Sequence, residues 1–577
     1  WHYSRDTVSH RLQSASRLFH LLSSVFLLLC VAVAARAQEP SHGWVVAPDG
    51  VKLHYLELGQ GSPVILIHGY SGDAQYRWFA SGVAQELAHN HHVLALDCRG
   101  HGQSDKPHDP SAYGPRMAED VIALMDHLGI ERAHVHGYSM GGGIVTELLD
   151  RHQDRIITAS YGGSGVPEVD PGWIAKLPPD RDEKAPGEEQ ALRRVDQIPN
   201  YDEAALRALR EYPWKPGQRD HIDLERVKVP VLAINGAFDK PNQKITRMKR
   251  ELETFWSYVL PDRGHLTTVG PEYTKILASF LDLYDPGTPP PEHGWFTAHD
   301  GVKLHYWAVG KTGTPVVLLH GFTGSADMWL MNGVAAALRA RHRVLALDCR
   351  GHGRSDKPHD PMRYGLQIAD DTIELLDHLG AEKAHVHGFS LGGWILAQLL
   401  VRHPERLLTA AFVGHAVLEV DPEMVKAVPP DYPGVDSRDP KAREAARAPI
   451  ELEARKVKGP GVRDDEALAA ARAYPWNPGE KGEGEIFPSR IPIDLAAVKI
   501  PVLALMGTFD FPNLKTHRMW RELDDFQMVR LPDRGHTSGV APGYISPEYV
   551  PATVRFIDGN DPPSDHGPNA AAAPSAN

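Results

Sequence analysis

The sequence predicts two α/β domains in series, each a mostly parallel sheet covered on both faces by helices. Three observations predict it. Short apolar runs alternate with amphipathic helical segments, the pattern of parallel strands joined by crossover helices. The pattern occurs twice: "GWVVAPDGVKLHYLELG" from Gly43 returns as "GWFTAHDGVKLHYWAVG" from Gly294, and "VLALDCRGHGQSDKPHDP" from Val93 returns as "VLALDCRGHGRSDKPHDP" from Val344. The offset is constant, since 294 − 43 and 390 − 139 are both 251. A solenoid unit runs to roughly 20–50 residues, so this is a duplicated domain, and a chain of 577 residues has room for two such cores.

Taken in chain order, the first segment is distinct from the rest. Leu18 to Ala34 ("LFHLLSSVFLLLCVAVA") is an apolar run preceded by Arg5, Arg11 and Arg17, and it exits through Ala35-Arg36-Ala37. Charge, apolar core and small-residue exit read as a signal peptide over residues 1–37, favoured over an uncleaved anchor. The expectation is a secreted or periplasmic protein with no stable membrane span after cleavage.

The first domain is placed at 38–285. Val64–Ile67 is predicted to be a buried strand ending at His68-Gly69-Tyr70, Val93–Leu96 the next strand, and Met117–Leu128 an amphipathic helix. Then comes His136-Gly137-Tyr138-Ser139-Met140-Gly141-Gly142, between an apolar run and a helical pattern. "VPVLAINGAFD" is a later strand ending at Asp239, and "LPDRGH" brings His265. A Pro- and Gly-rich stretch supplies a linker at 286–293. The second domain, 294–558, repeats the series: Val316–Leu319 ends at His320-Gly321-Phe322, Val344–Leu347 follows, then His387-Gly388-Phe389-Ser390-Leu391-Gly392-Gly393, "IPVLALMGTFD" ending at Asp510, and "LPDRGH" with His536. The tail, 559–577, has little to bury and is expected to be disordered.

Composition narrows the partners. A net charge of −13 disfavours nucleic acid and anionic membrane surfaces. Outside the signal, the only cysteines are Cys98 and Cys349, at matching positions after predicted strands, and each is expected to be a buried free thiol. There is no metal-type cysteine cluster, and the "HNHH" run from His89 to His92 has no carboxylate pattern and reads as a loop. No cofactor and no metal are expected, and the partner is a small-molecule substrate.

The two Gly-x-Ser-x-Gly segments carry the chemistry. In strand-turn-helix context the serine takes a strained backbone conformation, so its neighbours at minus two and plus two must be small, as Gly137, Gly141, Gly388 and Gly392 are. A serine hydroxyl needs a base within hydrogen-bond reach, itself oriented by a carboxylate. On the His-Gly-x loop, the Asp-x-Arg-Gly-His-Gly-x-Ser segment and these elbows, both repeats resemble the α/β-hydrolase fold superfamily over nearly their whole length. The resemblance implies tandem α/β-hydrolase domains with helical caps at about 166–229 and 417–500. It also implies the chain order serine, acid, histidine.

That order assigns Ser139, Asp239 and His265 to one triad and Ser390, Asp510 and His536 to the other, with Asp170 and Asp421 as fallback acids. The acid and base shift together, since 510 − 239 and 536 − 265 are both 271, so the added residues of the second copy lie between serine and acid. His68, His101, His134 and His136 precede or abut the serine and read as structural. Oxyanion donors are expected from the backbone N–H groups of Met140 and Tyr70, and of Leu391 and Phe322. Trp78 and Trp329 are candidates for lining an acyl pocket. The caps share "REYPWKPG" and "RAYPWNPG" but otherwise diverge. The implied activity is carboxylic ester hydrolysis through an acyl-enzyme in both domains. Alternatives on the same scaffold are C–C bond hydrolysis, proline iminopeptidase and cofactor-free perhydrolase or haloperoxidase activity. A non-turnover ligand-binding protein is the alternative of another class. Serine at 139 and 390 argues against haloalkane dehalogenases and epoxide hydrolases, which use aspartate there.

Overall fold

The computed structural model describes residues 39–70, 72–181, 183–189, 199–213, 222–429, 431, 464–475 and 493–562. The expected signal peptide, the tail from 563, and parts of both caps, including "KGEGEIFPSR", lie outside the described residues.

The first sheet is built from β1 (Ser41–Val46), β2 (Lys52–Leu58), β3 (Ser62–Ile67), β4 (His91–Leu96), β5 (Ala133–Tyr138), β6 (Ile156–Gly162), β7 (Val231–Gly236) and β8 (Phe255–Leu260), in the order β1-β2-β4-β3-β5-β6-β7-β8. Only the β1–β2 and β2–β4 pairings are antiparallel. β3, β4 and β5 are almost wholly buried, which is why they read in sequence as continuous apolar runs rather than alternating ones. The second sheet repeats the design with β9 (Glu292–Thr297), β10 (Lys303–Val309), β11 (Thr314–Leu319), β12 (His342–Leu347), β13 (Ala384–Phe389), β14 (Leu407–Val413), β15 (Val502–Gly507) and β16 (Phe526–Leu531).

The predicted first-domain helix is observed at Arg116–His127, burying Met117, Val121, Leu124 and Met125 at helical spacing. The shared Asp-x-Arg-Gly-His-Gly-x-Ser segment forms a loop tied by its own polar groups. Asp97 accepts from the N–H groups of Ala74 at 2.8 Å and Gln103 at 2.9 Å. Arg99, fully buried, forks onto Asp120 at 2.7 and 2.5 Å and reaches Asp49 at 2.7 Å. Arg350 repeats the fork on Asp371 and Asp300. Such a charge is tolerable in the interior only because its donors are met by partners. Cys98 and Cys349 are buried free thiols.

One apolar cluster spans both domains, and each domain also has a core of its own. The Trp256 indole of β8 stacks on Trp307 of β10 with centroids 5.6 Å apart. Arg339 donates to the carbonyls of Leu283 and Asp282 at 2.8 and 2.7 Å, at the end of the first domain's last helix, Pro271–Leu283. β9 begins at Glu292, within the expected linker, and Tyr284 is buried.

The described part of each cap includes a short helix after β6 or β14 (Pro171–Ile174, Pro422–Ala427) and a longer one (Glu203–Arg210, Asp465–Arg472). The shared Tyr-Pro has a packing reason: Tyr212 lies against Gly114, and Tyr474 against Gly365, so closely that a Cβ at either glycine would fall 2.4 or 2.3 Å from the ring. The tyrosines therefore seat the cap on the sheet domain. Among the described residues, no helix is long and apolar enough to cross a membrane.

Candidate active site

Both serines sit at the C-terminal ends of central strands, where the sheet opens into its loops. Ser139 follows β5 with φ 54° and ψ −111°, and Ser390 follows β13 with φ 52° and ψ −105°. This left-handed conformation turns each hydroxyl out of the chain path before the helices Met140–Arg151 and Leu391–Arg402 begin. The glycine requirement is met literally. A Cβ on Gly137 would fall 2.2 Å from the Gly141 carbonyl oxygen, and one on Gly388 2.1 Å from that of Gly392.

The acid and base come from loops beyond β7 and β8, and beyond β15 and β16. His265 Nε2 lies 2.8 Å from Ser139 Oγ, and its Nδ1 lies 3.0 Å from both carboxylate oxygens of Asp239. In the second domain His536 Nε2 lies 2.9 Å from Ser390 Oγ, and Nδ1 3.1 Å from Asp510 Oδ2. An Nδ1–H donating to the aspartate leaves Nε2 as the acceptor of the serine proton, the arrangement a general base needs. The fallback acids are elsewhere: Asp170 and Asp421 cap the short cap helices, accepting from Trp173 N at 3.0 Å and Glu423 N at 2.8 Å.

Sequence reasoning missed a lysine on each acid. Lys515 Nζ donates to Asp510 Oδ1 at 2.5 Å and to the Gly414 carbonyl at 2.7 Å. Lys244 does the same to Asp239 and, at 3.0 Å, to the Gly163 carbonyl. Burial pushes the Asp510 carboxyl up, but Lys515 and His536 together pull it below its ordinary value. Burial holds the Lys244 ammonium below its usual value against the pull of Asp239. Each aspartate is thus held between an imidazole and an ammonium. The signal was present in the sequence: each lysine lies five residues after its acid in both copies.

The His-Gly-x loops abut the nucleophiles, since a Cβ on Gly69 would meet Ser139 Cβ at 3.2 Å and one on Gly321 would meet Ser390 Cβ at 3.3 Å. Tyr70 and Phe322 therefore stand beside the serines, and Met140 and Leu391 open the helices that follow them. Tyr70 and Phe322 also hold the caps. Tyr70 donates to the Leu206 carbonyl at 3.0 Å, and Arg210 and Arg472 lie over the Tyr70 and Phe322 rings at 5.6 and 4.9 Å.

Two expectations need correction. Trp78 and Trp329 are fully buried, packed on His136 and His387 with centroids 5.3 and 5.2 Å apart. They reach no solvent-accessible space and serve as core, not as pocket lining. The "HNHH" run is not all loop, since His91 and His92 open β4, and both meet carboxylates: His92 Nε2 lies 2.6 Å from Glu57 Oε1, and His91 Nε2 lies 3.2 Å from Asp282 Oδ1. Asp282 comes from a helix far along the chain and leaves no local pattern. The histidines read as structural are so placed. His136 is bonded to Ser160 at 2.8 Å and Tyr273 at 2.5 Å, and burial pushes its pKa down to about 3. The sites also differ: Tyr138 and Ser164 of the first correspond to Phe389 and His415 of the second, and His415 packs against Gly393 of the nucleophile's helix.

A family model for the alpha/beta hydrolase fold matches residues 62–159 and 314–451. The chain belongs to the α/β-hydrolase fold family and carries the fold twice. Over 124 residues it is 40% identical to the dihydrolipoyllysine-residue acetyltransferase component of the acetoin cleaving system of Pseudomonas putida, covering 21% of this chain and 32% of that one. Over 117 residues it is 37% identical to the putative carbamate hydrolase RutD of Azorhizobium caulinodans, covering 20% and 43%. The chain spans less than half the length of either relative. A thermophilic esterase from Thermogutta terrifontis has 23% identity and a TM-score of 0.35, over 42% of this chain and 98% of that one.

Proposed function

We propose that this chain is a secreted or periplasmic serine hydrolase with two active domains that hydrolyses carboxylic esters through an acyl-enzyme. The observation that carries the reading is the pair of assembled Ser–His–Asp sets, each with the serine hydroxyl within 2.9 Å of an imidazole that is bonded to a buried aspartate. The export expectation rests on the sequence pattern of residues 1–37.

In each domain the serine Oγ attacks the ester carbonyl while the histidine Nε2 takes its proton. The aspartate stabilises the imidazolium and fixes its orientation. The tetrahedral oxyanion is received by the N–H groups of Met140 and Tyr70, or of Leu391 and Phe322. The imidazolium then protonates the departing alkoxide, leaving the acyl-serine. Water, deprotonated by the same imidazole, attacks that acyl group and releases the acid and free serine.

The test is a panel of p-nitrophenyl esters, amides and C–C substrates run on Ser139→Ala, Ser390→Ala and the double variant. Each single variant is expected to retain part of the ester activity with a changed acyl-length preference, and the double variant none. Complete loss in either single variant would overturn the two-site reading. Stoichiometric acylation without turnover in the wild type would favour a binding protein instead.

A further inference from the structure

At the opposite end of each sheet from the serine, the fold gathers a second set of reactive groups. His91 opens β4 and His134 lies at the start of β5, about 16 Å of strand below Ser139 at ~3.3 Å per residue. Asp285 follows the last helix of the first domain, Pro271–Leu283. One donor atom from each of these three lies within 4.8 Å of the other two. His91 and His134 are 1% and 0% exposed. His134 Nε2 and Asp285 Oδ1 are both buried with no hydrogen-bond partner, and the buried His91 Nε2 meets only the Asp282 carboxylate, at 3.2 Å. One orphaned buried polar atom is costly, and two of them in a single cluster of possible ligands require a common explanation.

The outer contacts favour a ligand set. His134 Nδ1 is bonded to Thr158 Oγ1 at 2.8 Å and His91 Nδ1 to Ser62 Oγ at 2.7 Å. With each Nδ1–H donating to a hydroxyl, each Nε2 is left as the ligand atom, the second-sphere arrangement that orients metal-bound imidazoles. Asp282 adds a carboxylate 3.2 Å from His91 Nε2 and stays partly exposed, which gives an entry side. The second domain rebuilds the set from His342, His385 and Asp561. There His342 Nε2 is 2.8 Å from Asp558 Oδ1, His385 Nε2 is 3.4 Å from Asp561 Oδ1, and His385 Nδ1 is 2.9 Å from Thr409 Oγ1. Asp561, within the segment expected to be disordered, is thus held against the sheet. The acids are displaced by 276 residues (561 − 285) but the histidines by 251 (342 − 91), so the grouping is regenerated by the fold rather than by local sequence spacing.

We propose that each domain binds one divalent cation of the zinc class at this second site, through His91, His134 and Asp285 in the first and His342, His385 and Asp561 in the second. Two imidazoles and a carboxylate select zinc, nickel or copper over calcium or magnesium, which take all-oxygen shells. Binding requires neutral imidazoles, so any Nε2 proton directed at a carboxylate leaves to solvent as the ion enters. The ion would pin the segment after each domain's last helix to the first turns of two sheet strands. Its role is structural, and it takes no part in the serine chemistry.

The experiment is metal stoichiometry on the full chain, stripped with EDTA, dialysed against Zn²⁺ and measured by elemental analysis and thermal melting. The expected result is about two zinc ions per chain with a melting temperature raised by several degrees. His134→Ala and the near-isosteric Asp285→Asn, chosen because it leaves the packed core intact, should each lower the count to about one. Ser139→Ala/Ser390→Ala should keep both ions. Loaded with Co²⁺, the protein should show intense visible d–d absorption that Asp285→Asn reduces. No retained zinc in the wild type, an unchanged count in Asp285→Asn, or loss of zinc in the serine double variant would each overturn the proposal.

Discussion

Lys515 offers a sharp test of how the second triad holds its charge. Asp510 is 6% exposed, and its carboxylate is shared by Lys515 Nζ at 2.5 Å and His536 Nδ1 at 3.1 Å. Lys515→Met keeps the chain volume and removes the ammonium. One charge-assisted hydrogen bond to the carboxylate is then lost, a term of about 1.5–3 kcal/mol. At ~1.4 kcal/mol per pH unit, the protonation of Asp510 should move up by about 1–2 units. The sign follows from the structure: burial raises this carboxyl and Lys515 is the first of the groups lowering it, so removing the lysine lets burial reassert itself. Activity is retained above the transition and lost as pH falls through it. The assay is the pH profile of kcat/KM for a p-nitrophenyl ester in a Ser139→Ala background, so that only the second site turns over. The acid limb should shift to higher pH, by up to about 1–2 units, while the alkaline plateau changes little. Lys515→Arg should restore part of it. An unmoved acid limb, or one moved to lower pH, would refute the assignment of Lys515 as a positioning residue.

Other consequences follow from the same geometry. Gly137→Ala drives a methyl into the Gly141 carbonyl, so ester turnover in a Ser390→Ala background should fall at least ~100-fold, measured as kcat/KM. Arg99→Met strips the buried fork from Asp120 and Asp49, leaving uncompensated carboxylates. It should destabilise the first domain by about 3–5 kcal/mol in a urea titration, and Arg350→Met the second domain by a similar amount. Tyr212→Ala removes the side chain packed on Gly114 and loosens the first cap, so KM at the first site should rise more than kcat falls.

How much was legible in the sequence depended on whether the information was local. The elbows were legible because strand, strained turn and helix are contiguous, and Gly137 and Gly388 are dictated by contacts within five residues, while Gly141 and Gly392 answer to the carbonyls of Ile67 and Leu319 on the neighbouring strands. Asp239, His265, Asp510 and His536 were found through their fixed order and strand-end context, and the structure brings each within hydrogen-bond reach of its partners. Trp78 and Trp329 were misjudged because closeness in sequence to the His-Gly-x loop does not say which way a side chain points, and both point into the core. Lys244 and Lys515 carried a repeated spacing whose meaning became visible only when Gly163 and Gly414 were seen to supply the second acceptor. The His91–His134–Asp285 group could not be read, because two strand starts and a helix end meet there from three distant segments.

The central claim is that both serines are activated nucleophiles. It is tested most directly by reacting the full chain with a fluorophosphonate probe and mapping the modified peptides by mass spectrometry. The account predicts stoichiometric modification at Ser139 and at Ser390, each abolished by replacing its own histidine, His265→Ala or His536→Ala, with the other serine still labelled. Modification of only one serine, or of neither, would contradict it.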